Sequence, residues 1–212
     1  MNKETDTFCR AVRLRSNENK AAINCLSHQQ NILSPMMAIL RQELDSLVRV
    51  IWLLSIVDKT ERKRLIHATL SGEKWTHAPN GKMRRITDRE MVDLAQWLYG
   101  WAQSVYRFGC AFIHLSDFHN HAAEDPFRKL PRAEREDILR HMRAYHGGPS
   151  GNDPGMAELA SYIPQVFNKI AGNLDCYLTS LAEGKIIEQK YNSNRVAMKF
   201  NTAKGLLKAK RR

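Results

Sequence analysis

Cysteine is scarce in this chain, and the four present, Cys9, Cys25, Cys110 and Cys176, lie far apart. They form no CxxC pair, so neither a disulfide framework nor a cysteine-bound zinc is expected. Long apolar runs are lacking as well. The longest, Val50 to Val57 broken only by Ser55, falls far short of the roughly 20 residues that span a bilayer, so no membrane partner is expected. The opening MNKETDTFCRAVRLR carries acids and no apolar stretch, which argues against a secretory signal and makes a reduced, cytoplasmic location the default expectation. Also missing are the GxxxxGK[ST] phosphate loop, a GxGxxG turn, HExxH and GxSxG. Nucleotide-fold dehydrogenases, zinc hydrolases and serine hydrolases thereby lose their usual sequence support.

What is present is positive charge and helical spacing. Lysine and arginine outnumber the acids 33 to 22 in 212 residues. The excess is concentrated at one end: Lys185, Lys190, Arg195, Lys199, Lys204, Lys208, Lys210, Arg211 and Arg212 face a single acid, Glu188, giving +8 of the total +11. Such a segment attracts polyanions by releasing their counterions, and RNA, DNA and anionic membranes all qualify on charge alone, with RNA the partner expected once the pair Arg107 and His114 is added. A charge run also serves simply as a solvated terminus. Its few aromatics, Tyr191 and Phe200, do not make a base-stacking platform.

The spacing of apolar residues predicts an all-α, up-and-down helical bundle over residues 1–184, followed by a basic tail over 185–212. Phe8, Val12, Ile23 and Leu26 mark a first helix ending near Gln30. Ser34-Pro35 is a start signal, serine capping and proline in the first turn, ahead of Met36, Ile39, Leu40, Leu44, Leu47, Val48, Ile51 and Leu54 at three- and four-residue steps. A short helix is expected over 61–70 and a loop over 71–86, with Asn80-Gly81 inside it. Thr87 and Glu90 form a capping box that opens an aromatic-rich stretch from Met91 to His121, one helix or two in series. A helix from Pro131 to Tyr145, a loop GGPSGNDPG over 147–155, and a helix from Met156 to Leu181 kinked at Pro164 complete the bundle. The tail leaves room for a small hairpin through Asn192-Ser193-Asn194. Trp52, Trp97 and Trp101 fit helical packing, and Arg41, Asp45 and Arg49 make a stripe of ion-pairing residues on the second helix, with Arg49 also within the set expected to touch phosphate.

One constellation carries chemistry. In YRFGCAFIHLSDFHNH, Arg107 and His114 are seven residues apart, which on a helix is a common face at about 10.5 Å of axial rise. Asp117 follows His114 at i+3, where it can orient the imidazole. An imidazole near its ordinary pKa of about 6.5 shuttles protons at neutral pH, and a guanidinium holds charge that builds on a phosphate. No metal or cofactor is needed for that division of labour. His114, Asp117 and His121 are zinc-type ligands, but they come from one stretch with no evident fourth partner, and no metal is expected.

At these residues the sequence resembles the HEPN superfamily, small all-α domains with an Arg-x4–6-His motif on a helix. Arg107-x6-His114 meets that spacing, and the helix ILRQELDSLVRVIWLL over 39–54 looks like the second helix of HEPN-related bacterial proteins. The resemblance implies a metal-independent endoribonuclease of the toxin or antiviral-defence type, with Arg107 and His114 catalytic at a homodimer interface and an antitoxin or regulatory partner. Some relatives are inactive binding or assembly modules. Many active members carry Asn, Asp or His directly after the arginine, where this chain has Phe108. The rival expectation is therefore a non-enzymatic helical module whose tail docks on nucleic acid or an acidic protein.

Overall fold

The computed structural model describes residues 3–29, 32–78, 81–99, 101–113 and 124–187, with the side chains of 96–99 outside that description. The described chain is all-α, with one minimal hairpin: α1 Lys3–Leu26, α2 Leu33–Ser55, α3 Lys59–Leu70, β1 Thr76–His77, β2 Arg84–Arg85, α4 Asp88–Tyr99, α5 Ala102–Ile113, α6 Arg132–His146, α7 Met156–Ala160 and α8 Ile163–Ala182. No helix among the described residues is long and apolar enough to cross a membrane. All four cysteines are free.

Helix α2 is the axis of the bundle and packs against α1, α4, α5 and α8. Its apolar residues do not stop at one stripe: Leu44, Leu47, Val48, Val50, Ile51, Leu53 and Leu54 are all fully buried, as expected of a helix covered from several sides. At about 1.5–3 kcal/mol for each buried side chain, these seven outweigh any single polar contact in the fold. Helix α8 supplies Phe167, Ile170, Leu174 and Leu178 to the same core. Helix α1 is clamped onto α8 by Arg13, whose Nε donates to Asp175 at 2.7 Å and whose Nη2 donates to Thr179 at 3.1 Å.

Several helix ends follow from local chemistry. Asp58 caps α3 by accepting from the Thr60 amide at 2.8 Å. The Thr87–Glu90 box is formed in both directions, the Thr87 amide donating to Glu90 at 2.9 Å and the Glu90 amide to Thr87 Oγ1 at 3.3 Å. Gly147 stops α6 with φ of 74°, a left-handed value that glycine adopts without strain. Asp125 organises the segment after the undescribed 114–123 stretch: Oδ1 accepts from the Phe127 amide and Oδ2 from the Met156 amide, both at 2.9 Å.

The structure corrects four expectations. Helix α2 begins at Leu33 with Ile32 at its cap, so Ser34 already lies inside the first turn and does not cap it. The first helix ends at Leu26 rather than near Gln30. The last long helix is two elements, because Pro164 sits in the first turn of α8 and starts that helix instead of kinking one. The expected loop over 71–86 holds a two-stranded antiparallel hairpin with Thr76 opposite Arg85 and His77 opposite Arg84. The stretch from Met91 divides into two helices in series, α4 and α5. The expected hairpin near Asn192-Ser193-Asn194 lies outside the described residues.

Candidate nucleic-acid interface

Helix α5 positions Arg107. Its inward residues are small or aromatic: Ala102, Gly109 and Phe112 are buried, and Phe108 packs edge-on against Phe112 with ring centroids 5.3 Å apart. Gly109 is required where α5 meets α2, because a Cβ there would come within 2.9 Å of Arg41 Cβ. Arg107 lies on the outer side and is exposed. Helix α5 ends at Ile113. His114 and Asp117 fall in the 114–123 stretch, outside the described residues.

A polar cluster that includes Tyr106, the residue before Arg107, binds α5 to α2 and α4. Arg41 is 4% exposed yet charged; it donates to Asp45, its Nη2 lies 3.9 Å from Asp88, and its guanidinium stacks 4.2 Å from the Tyr106 ring centroid. Burial pushes the Asp45 carboxyl above its ordinary range against the opposing pull of Arg41. Arg49 completes the cluster, with Nη2 3.2 Å from Asp88 and its guanidinium 5.2 Å from the Trp75 ring. Arg49, a candidate phosphate contact in sequence, is thus engaged with an acid and an indole. The ion-pair stripe read from Arg41, Asp45 and Arg49 is present, and it reaches one helix further than the stripe itself, to Asp88.

The side of α5 flanking Arg107 at Phe108 is apolar. Phe108 lines a cavity of about 90 Å³ together with Met37, Trp101, Phe127, Met142 and Val166. The residue following Arg107 therefore offers packing and no proton-transfer group.

At the other candidate region, Lys185 is exposed and pairs with Glu183 at 2.5 Å. Its carbonyl accepts from Arg62 Nη1 at 3.1 Å, while Nη2 of the same arginine donates to the Ile56 carbonyl at 2.6 Å. The Ile187 amide donates to the Leu54 carbonyl at 2.9 Å. The basic tail is accordingly tied to the α2–α3 corner as far as residue 187. Lys190, Arg195, Lys199, Lys204, Lys208, Lys210, Arg211 and Arg212 lie outside the described residues.

Two arginines stand apart from the rest. Among the described residues, every arginine side chain is hydrogen-bonded or ion-paired except Arg85, on the hairpin, and Arg107. Arg85 was missed in sequence because the Asn80-Gly81 turn signal has no alternating apolar flanks to mark it as a hairpin. Among the described residues no three His, Cys, Asp or Glu side chains gather as a metal site. No protein-family model, curated protein or solved structure matches this chain.

Proposed function

We propose that this protein binds RNA and cleaves it without a metal, as an HEPN-like endoribonuclease. The observation that supports this reading is the state of Arg107: an exposed guanidinium with no hydrogen-bond or ion-pair partner among the described residues, on a firmly packed helix that ends one residue before His114 in sequence. A guanidinium left unneutralised is free to take a phosphate in a bidentate, charge-assisted grip. In the reaction the 2′-hydroxyl oxygen bonds to the adjacent phosphorus and the 5′-oxygen leaves. The products are a 2′,3′-cyclic phosphate and a 5′-hydroxyl. His114 makes one of the two proton transfers, taking the proton from the 2′-hydroxyl or delivering one to the leaving 5′-oxygen, and water makes the other. Asp117 orients the imidazole, and Arg107 holds the charge on the phosphate. The test separates chemistry from binding: His114→Ala removes cleavage while leaving RNA affinity nearly unchanged. Equal cleavage by that variant and the wild type overturns the assignment.

One observation favours a second reading. Phe108, at the position where active HEPN members often carry a polar residue, is packed into the apolar side of α5. A non-enzymatic module that binds RNA through its cations is consistent with that packing. It predicts intact RNA under all conditions, with charge neutralisation in the tail weakening binding and flattening its salt dependence.

A further inference from the structure

The hairpin is a second cationic element, remote in sequence from the tail. Residues 74–87, KWTHAPNGKMRRIT, contain Lys74, Lys82, Arg84 and Arg85 and no acid. Two strands of two residues each are too short to hold themselves together in water, so the reason for their order lies at the base. Trp75 is 3% exposed and donates from its indole nitrogen to Thr69 Oγ1 at 2.8 Å. Ile86 is buried opposite it, and its amide donates to the Trp75 carbonyl at 2.9 Å. Arg64 of α3, itself held by Glu61, donates to the Thr76 carbonyl. His77 packs edge-on against Trp52 of α2.

The outer positions are treated differently. Arg84 is neutralised by Glu90 at 2.6 Å. Lys82 and Arg85 are exposed, and among the described residues neither side chain has a partner. Met83, between Lys82 and Arg84, is 64% exposed. A rigid base thus presents Lys82 and Arg85 beside an apolar side chain, while Lys74, also exposed and unpaired among the described residues, stands at the start of the hairpin. Among the described residues no polar contact ties them to the fold, and cations carried on a backbone held in place beforehand lose less entropy on binding than those on an unstructured chain.

We infer that the hairpin is an RNA-backbone contact, with Lys82 and Arg85 each engaging a phosphate and Met83 lying against sugar or base. This deepens the RNA reading above and rests on it. Binding of a fluorescent single-stranded RNA by the full-length protein and by the full-length Lys82→Gln/Arg85→Gln variant, at several salt concentrations, tests it. Losing two phosphate contacts lowers the slope of log K against log salt by about 1.4, which is roughly 25-fold in affinity near 0.1 M salt. As a check independent of folding, RNA protects Lys82 of the wild type from acetylation while leaving the exposed Lys20 of α1 reactive. If the wild type binds RNA but the variant keeps its slope, and Lys82 stays reactive, the hairpin assignment fails and the RNA reading stands. If the wild type does not bind RNA at all, the RNA reading fails and the hairpin assignment falls with it.

Discussion

Replacing Arg41 by leucine removes a buried charge on which three helices converge, and its cost follows from the geometry. Arg41 is 4% exposed, whereas its partners Asp45 and Asp88 are 27% and 37% exposed. Breaking a buried pair costs about 3–5 kcal/mol because the remaining charge is stranded. Here Asp45 retains some access to water and Asp88 keeps Arg49, so the lower end applies, about 3 kcal/mol. Leucine and arginine are equal helix formers, so propensity does not enter. For a chain of this size the loss corresponds to a fall in Tm of roughly 6–12 °C. Urea denaturation followed by helical circular dichroism measures it. The companion Arg41→Leu/Asp45→Leu variant removes both charges and is expected within about 1 kcal/mol of the wild type, since an apolar pair of similar volume replaces a buried ion pair at little cost. An Arg41→Leu variant within about 0.5 kcal/mol of the wild type, the ordinary range for surface changes, refutes the reasoning. So does a double variant as unstable as the sum of the two single ones.

Three other expectations follow from named contacts. Gly109→Ala gains about 1 kcal/mol of helix propensity but drives a methyl against Arg41 Cβ at 2.9 Å, an overpacking cost of about 1–3 kcal/mol; a net loss is expected by denaturant titration, and a net gain refutes the close approach. Thr87→Ala costs about 1 kcal/mol of cap stability. Burial works to raise the Glu90 carboxyl, but hydrogen bonds from Thr87 and Arg84 hold it below its ordinary 4.5. Its contribution is therefore present above pH 4.5 and fades as the pH falls through the lowered value, and Glu90→Gln shrinks that acid-side loss in Tm. His77 and His146 are both shifted below 6.5, each first by burial, then by Arg84 and Lys169 respectively. The unfolded chain protonates them first, so stability declines as pH drops below 6.5. A His77→Gln/His146→Gln variant with an unchanged decline contradicts this origin.

Much of the helical frame is legible in the sequence because it is local. The α2 periodicity, the Thr87–Glu90 box and the glycine after α6 each declare themselves within a few residues. The misread positions depend on contacts between distant segments. Pro164 reads equally as a kink or as a first-turn residue, and which it is depends on the chain reversing between α7 and α8. The hairpin has no amphipathic alternation of its own and exists because Trp75 and Ile86 are buried against α2 and α3. The polar cluster was half visible: Arg41, Asp45 and Arg49 announce themselves at i and i+4, whereas Asp88 and Tyr106 join only through tertiary packing. That, among the described residues, Arg107 and Arg85 are the arginines left unpaired is likewise a property of the fold, since it depends on where the carboxylates and carbonyls fall.

The central claim is that Arg107 and His114 cleave RNA without a metal, and RNA cleavage in EDTA by purified wild type, Arg107→Ala and His114→Ala tests it most directly. The account predicts cleavage by the wild type alone, leaving 2′,3′-cyclic phosphate ends. Intact RNA in all three reactions, with the three proteins equally folded, or equal cleavage in all three, would contradict it.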